Sequence, residues 1–555
     1  MRIRKLTCAT LALALMTGPS VGLSQDVESD AKASGPPTAT PIQHLVVIFQ
    51  ENVSFDHYFG TYPVAMNETG VPTFTAAKNT PAVNGLSGLL LTNNPNLNAG
   101  NGVGATNPFR LSRDQAATSD QNHDYGPEQA AFDGGLMDLF PANVGTAGPP
   151  PTGTSPLDTT GLVMGYYDGN TVTAMWNYAQ HFAMSDNSYD TTFGPSTPGA
   201  INLISGQTNG AINDTNPGGA LISDGNGGMT DISDADPAGD MCSTTTGETF
   251  SMSGKNIGDL LNAAGITWGF FEGGFNLATM NTAPNSSGTG CARKHMSTIT
   301  NSNKADYIPH HQPFQYYAST ANPMHLRPSS GTAIGGPDPT GANHQYDSDD
   351  FYTALAANNL PSVVFLKAPG YQDGHAGYSD PLDEQTFLVS TINTVEQSKF
   401  WNSTAIVILY DDSDGWYDHQ MPSIVNTSAT TEDALNGSGK CGDGSLALPG
   451  VNPATTHAQG RCAFGPRQPL LVISPFAKAN FVDHSVTNLA SIVTFIEDNW
   501  LESARIGQGS FDASSNSITN MFDFSHKNGT NKAIFLDPGT GDIVKKKPAK
   551  STTTP

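Results

Sequence analysis

The chain has 555 residues, with 25 Lys and Arg against 50 Asp and Glu, a formal net charge of -25 at pH 7. Such an acidic chain is a poor holder of nucleic acid by bulk attraction, although screening over about 8 Å leaves a local metal or a few His and Lys side chains able to bind a small phosphate. The length suits two or three average domains or one large fold with long insertions. Candidate core strands near both ends favour the second.

Arg2, Arg4 and Lys5 precede an apolar run over 6–16, and Gly22-Leu23-Ser24 supplies small residues for cleavage. Residues 1–24 therefore read as a signal peptide and the protein as exported, to the periplasm or the medium. No later stretch approaches the roughly 18 to 20 apolar residues of a membrane-spanning helix. Residues 25–41, rich in Ser, Ala, Pro and Asp, read as a flexible arm. The β-branched run over 42–49 predicts a buried parallel strand. It delivers Gln50-Glu51-Asn52 to its carboxyl end, where open α/β sheets place ligands.

Residues 64–107 and 141–158 read as surface excursions, with a short helix over 130–140 between them. Helical spacing covers 165–181, and 182–186 returns to the sheet. Gly194-Pro195-Ser196-Thr197-Pro198-Gly199 reads as a turn opening a helix through 201–204. A helix over 256–264 stops at Gly265 before a strand over 266–271. Strands over 363–367, 405–410 and 470–474 and helices over 383–400 and 486–496 complete the pattern. Alternating strands and helices predict an α/β fold with a mostly parallel sheet covered on both faces. One large domain over 42–524 carries long loop insertions, and 525–555 is a loop-rich tail with a small hairpin around 537–541. Among the cysteines after the signal, the shortest loops pair Cys242 with Cys291 and Cys441 with Cys462, three connectivities being open.

Tyr410-Asp411-Asp412 ends an apolar strand. Adjacent carboxylates repel, and a bound cation removes that cost; a solvated acidic turn is the competing reading. Glu51 and Asn52 offer the same oxygen chemistry from a distant part of the chain. An oxygen-rich set fits a hard divalent cation and not structural zinc. Ser196 sits at a predicted helix start, where free N–H groups favour a phosphoryl group. Its hydroxyl needs a metal or base to attack phosphorus, and read alone it is an ordinary helix cap. Thr197 is the other hydroxyl candidate. His310-His311, His375 and His123-Asp124 are candidates for protonating a leaving alkoxide or contacting phosphate. His419 either returns toward Asp411 and Asp412 or is structural, while His44, His57 and His181 read as packing residues. There is no G-x-S-x-G elbow and no phosphate loop ending in Gly-Lys-Ser/Thr.

Together these segments resemble the bacterial phosphoesterases that include AcpA-type acid phosphatases and phospholipase C enzymes. The resemblance rests on Gln50-Glu51-Asn52-Val53-Ser54-Phe55-Asp56-His57-Tyr58-Phe59-Gly60, Gln121-Asn122-His123-Asp124, Phe193-Gly194-Pro195-Ser196, Ile308-Pro309-His310-His311 and Tyr410-Asp411-Asp412-Ser413-Asp414-Gly415-Trp416-Tyr417-Asp418-His419. It implies an alkaline-phosphatase-like three-layer α/β/α fold. It makes Glu51, Asn52, Asp411 and Asp412 the ligands of a divalent metal (calcium, magnesium, manganese or iron). It makes Ser196 the nucleophile, with His123, Asp124, His310, His311 and His375 around the phosphate and leaving group. The implied activity is monoester hydrolysis through a phosphoseryl intermediate, the Asn-rich text after Tyr62 resembling the acid phosphatase branch. The alternative is phospholipase C action on phospholipid head groups, with Trp268, Tyr316, Tyr317 and Trp416 available to a choline pocket. A reading from another class is a secreted metal-binding protein without turnover.

Overall fold

The computed structural model describes residues 37–147, 157–215, 218–224, 227–279, 283–426, 432–433, 462, 464–526 and 529–554. Thr38–Pro555 forms one compact unit. Its centre is a sheet whose main strands are β1 (His44–Gln50), β2 (Ala183–Tyr189), β3 (Trp268–Glu272), β4 (Gln345–Asp347), β5 (Val363–Lys367), β6 (Thr404–Tyr410), β7 (Arg467–Ile473) and β8 (Phe481–Asp483). The order is β4-β3-β5-β1-β6-β7-β2-β8, with Thr487–Asn488 pairing on β2. All pairs are parallel except those of β7, which is antiparallel to both β6 and β2.

Consecutive burial explains the composition of the middle strands. Every residue of β5, β6 and β7 is buried, as is β1 after His44, so both faces of the sheet are covered and Val, Ile and Leu run without alternation. Each such side chain contributes about 1.5–3 kcal/mol. That reserve accommodates a cluster of charges at the strand ends.

The helices that matter for the site are α1 (Phe55–Phe59), α2 (Tyr125–Phe132), α3 (Thr173–His181), α4 (Ser196–Ser205), α5 (Ile257–Ala264), α6 (Ser348–Ala356), α7 (Pro381–Glu396) and α8 (Ala490–Trp500). Among the described residues, no helix is long and apolar enough to cross a membrane.

Several predicted boundaries move for local reasons. The helix expected over 130–140 does not form as one element: α2 stops at Phe132, where Asp133 and Gly134 turn left-handed, and a separate short helix, Phe140–Asn143, begins at the far end of that span. Of the pattern over 165–181 only α3 is helical. Gly165–Tyr166 instead pairs with Phe109–Arg110, and Asp168 folds back to accept from the backbone N–H of Asn170. The helix expected over 486–496 starts later, because Thr487–Asn488 joins the sheet. Strands β4 and β8, three residues each, carry too little pattern to be read.

The excursion over 64–107 is anchored more firmly than its composition implied. Phe74 is buried and packs edge-on against Trp176 at 5.1 Å. Buried Asn side chains replace regular structure as backbone partners. Asn96 Nδ2 donates to Met137 O at 2.8 Å, its Oδ1 accepts from Phe140 N at 2.9 Å, and Asn101 Nδ2 donates to Asp138 O at 2.7 Å. The tail also docks. Leu536 is fully buried, exchanges hydrogen bonds with the Asn393 side chain of α7, and bridges Ile543 in the predicted hairpin. Cys242 and Cys291 form the expected disulfide; Cys441, of the other expected pair, lies outside the described residues.

Candidate active site

Strand register performs the first step of assembly. Gln50 of β1 pairs with Tyr410 of β6, so Glu51 and Asp411 leave neighbouring strands at one level. Backbone hydrogen bonds then hold the loops beyond the strand ends: Asp411 N donates to Gln50 O at 3.2 Å, Val53 N to Asp412 O at 3.0 Å, and Glu51 N to Asp373 O at 2.9 Å. Glu51, Asn52, Asp411 and Asp412 are all buried.

Helix α4 brings the nucleophile candidate against this set. Pro195 caps the helix and Ser196 is its first residue, so the serine is not the cap. Gly194 turns the chain with φ 113°, a region open to glycine. A Cβ at Gly199 would lie 2.0 Å from Asp411 O; only glycine admits the helix so close to the ligand loop. Ser196 Oγ lies 3.1 Å from Glu51 Oε2 and 3.1 Å from Asp412 Oδ2. Thr197 is committed elsewhere, its N–H and hydroxyl both donating to Asp234 Oδ1 at 2.9 Å.

The electrostatics are those of crowded carboxylates. Burial pushes Asp412 up to about 7, Glu51 adding to the push against the counter-charge of His123. Burial and then Glu51 raise Asp411 and Asp373 well above the usual carboxylate range. Glu51 goes the other way: burial would raise it, but His311 and Lys367 beside it hold it well below its ordinary value. Asn52 is buried with neither amide atom hydrogen-bonded, a cost of about 1–3 kcal/mol per group that a ligand at the site would remove. Oxygen donors, mutual repulsion and an amide awaiting a partner fit a hard divalent cation.

The histidines separate into different roles. His311 Nδ1 lies 3.1 Å from Glu51 Oε1, and burial holds its pKa well below normal, so it braces the Glu51 carboxylate. His310 stands between Asp236 at 3.5 Å and Asp234 at 3.9 Å. Burial opposes its charge, but those two carboxylates raise its pKa. His123 Nδ1 meets Gln121 O at 2.8 Å and Asp414 Oδ1 at 3.4 Å. Its pKa is raised well above normal against burial by Asp412, Asp414, Asp120 and Asp234. His375 stacks on Tyr378, its Nδ1 meets Ala376 O at 2.6 Å, and burial lowers its pKa. Asp124 is exposed at the cap of α2. His123, Asp124, Pro195, Asp234 and Gly377 line a cavity of about 690 Å³ that opens beside the turn preceding Ser196.

His419 does not reach Asp411 and Asp412; it pairs with Asp56 at 2.6 Å, next to Arg467. His57 stacks on Trp416 at 3.9 Å, and burial lowers it to about 3. His44 packs on Phe400 and His181 binds Asn177 O, as expected of packing residues. Trp268, Tyr316, Tyr317 and Trp416 are core residues and form no open aromatic cage.

Several site residues carried a weak sequence signal. Lys367 ends the apolar run of β5 as Gln50 and Tyr410 end theirs, a polar residue at a strand's carboxyl end. Asp373 and Asp414 sit in otherwise ordinary turns. Glu128 lies on α2, far away in the chain, yet accepts from Gly194 N at 3.0 Å and Ser413 Oγ at 2.8 Å. It thereby ties the turn before Ser196 to the loop that follows Asp412.

Similarity to known proteins extends over most of the chain. A non-hemolytic phospholipase C of Pseudomonas aeruginosa is 24% identical over 83% of this chain and 54% of its own length. Phospholipase C A of Mycobacterium tuberculosis is 24% identical over 79% of this chain and 69% of its own. The chain thus spans about half the length of the first of these relatives. A solved protein in the alkaline phosphatase superfamily from Vibrio parahaemolyticus is 12% identical over 80% of this chain and 82% of its own, with TM-score 0.24. The pattern of the Phosphoesterase family matches residues 42–501, which contain every strand of the central sheet and every residue of the site, and the chain belongs to that family.

Proposed function

We propose that this chain hydrolyses phosphoric esters with Ser196 as nucleophile, acting on phosphodiesters of the phospholipase C type. One observation carries the reading: the Ser196 hydroxyl, at the start of a buried helix, lies 3.1 Å from both Glu51 and Asp412. Glu51, Asn52, Asp411 and Asp412 would hold a divalent cation, which when bound polarises a phosphate oxygen and lowers the pKa of a neighbouring hydroxyl. Glu51 Oε2 and Asp412 Oδ2, each 3.1 Å from Ser196 Oγ, would orient the hydroxyl, whose proton would pass to solvent as it attacks. Ser196 Oγ then bonds to phosphorus as the bond to the leaving oxygen breaks. His310, whose pKa Asp234 and Asp236 raise against burial, would give the departing alkoxide its proton. His123, whose pKa the carboxylates around it raise, would favour an anion beside the cavity, and His375, whose pKa burial lowers, would serve as base for the water that releases the phosphoryl group from Ser196.

The substrate class rests on the relatives, which are named phospholipases C. The Cys242–Cys291 disulfide supports action outside a reducing cytoplasm. A second reading, hydrolysis of phosphate monoesters as by an acid phosphatase, is favoured by the absence of an open cage among the four aromatic candidates. The test is a paired assay on phosphatidylcholine and p-nitrophenyl phosphate over about pH 5 to 8, with and without EDTA. Chelator-sensitive release of phosphocholine supports the first reading and dominant monoester cleavage the second. Turnover of neither ester by metal-loaded protein contradicts both.

A further inference from the structure

Lys367, the last residue of β5, is fully buried. Its ammonium contacts Glu51 Oε1, lies 3.2 Å from Asp411 Oδ2 and 3.5 Å from Gln50 O, and sits over the Phe49 ring at 4.5 Å. Two buried carboxylates converge on this one ammonium, and a buried lysine placed in such a contact acts as their counter-ion.

The groups around it resemble a metal's donors. Glu51, His311 and Asp373 each place a ligand atom within 4.8 Å of the others, and Asp411 joins them through Lys367. One imidazole and three carboxylates are a donor set for a divalent ion. Glu51 is also divided between two compartments, and Asp411 has one oxygen on Lys367. Glu51 turns Oε1 to Lys367 and His311, and Oε2 to Ser196. Asp411 gives Oδ2 to Lys367 while its Oδ1 accepts from Asp412 N at 3.0 Å.

We propose that the Lys367 ammonium is the resident cation of a second, metal-like compartment behind Ser196. It grips the far oxygens of Glu51 and Asp411 and closes that space to a second divalent ion. Lys367 is in this sense a positioning residue, because supporting groups of this kind orient ligands and tune what they bind. The inference rests on the divalent site proposed above and makes a claim of its own: this space is filled by lysine instead of metal.

The test is a count of bound Mn²⁺ per folded chain, by equilibrium dialysis and elemental analysis, for the wild type, K367A and K367A/D373N. Removing the ammonium leaves both charge and space, so K367A is expected to bind one more equivalent than the wild type. K367A/D373N, which loses a donor of the second compartment, is expected to return to the wild-type count. The proposal is overturned if K367A binds no more Mn²⁺ than the wild type, or if the double variant keeps the extra ion. A K367A chain that stays unfolded in millimolar Mn²⁺ also contradicts it, since the divalent ion is to take over the ammonium's role. A wild type that binds no Mn²⁺ counts against the divalent site itself, whereas a wild-type equivalent with no gain in K367A counts against the lysine alone.

Discussion

Ser196 and Glu51 are 145 positions apart in the chain, yet the serine hydroxyl meets Glu51 Oε2 at 3.1 Å. The contact joins the first turn of α4 to the carboxyl end of β1, and the proposed chemistry depends on it. In Ser196→Ala the ligand set is untouched while the nucleophile is gone. We expect kcat/KM to fall by at least about 10³-fold, as for removal of other covalent nucleophiles, with bound metal unchanged by elemental analysis. Substantial turnover by metal-loaded S196A protein sinks the assignment.

Asn52 predicts a trade between binding and stability. Its buried amide has no hydrogen-bond partner, so Asn52→Leu, of similar volume, is expected to leave the metal-free protein at least as stable as the wild type in thermal unfolding. The same substitution removes a ligand and is expected to weaken Mn²⁺ binding by 10-fold or more in calorimetric titration. Equal metal affinity in the two proteins argues that Asn52 is no ligand.

Glu128 gives a pH dependence with a definite sign. Burial raises its pKa to about 8 from 4.5, Asp412 adding to the rise. A carboxyl whose folded pKa is raised contributes stability that is fully present below about 4.5 and is lost as pH climbs through about 8. Glu128→Gln mimics the protonated form. Melting curves of the two proteins should coincide near pH 5, and E128Q should melt a few degrees higher near pH 8.5. A gap that is constant with pH contradicts this account of Glu128.

Arg467 is fully buried and pairs with Asp56 at 3.1 Å and Asp418 at 3.0 Å, beneath the Asp411–His419 loop. Arg467→Met strands two buried carboxylates. Breaking such a pair costs about 3–5 kcal/mol, so a large loss in denaturant midpoint is expected. A change of under about 1 kcal/mol, the range of exposed pairs, contradicts a clamping role.

Asp234 and Asp236 beside His310 raise its pKa against the effect of burial. If it protonates the leaving alkoxide, activity declines as pH rises through its raised pKa. His310→Gln should lose that alkaline limb and lose most rate on substrates with poor leaving groups. An unchanged limb in H310Q moves the acid role elsewhere.

The legibility of each element in the sequence depended on what that element had to do. Strands β1, β5 and β6 are buried on both faces, so their sequences announce themselves as unbroken apolar runs. The residues that follow β1 and β6, Glu51 and Asp411, inherited their prominence from that contrast. Ser196 gained meaning only in combination, since its turn looks like any helix start. Pairing is what the chain hides: nothing local sends Glu128 to Gly194, sets His311 on Glu51, or points Lys367 between two carboxylates, because those contacts are made by sheet register and helix docking. The excursion over 64–107 lies largely at the surface, as its composition reads; what the sequence does not show is that Asn96 is spent on buried backbone groups of Met137 and Phe140.

The most direct measurement of the central claim is mass spectrometry of the enzyme quenched in acid during turnover. A phosphoryl or phosphocholine adduct, according to the substrate used, is predicted on Ser196. A chain that turns over substrate yet carries no adduct, or carries it on Thr197, contradicts the account.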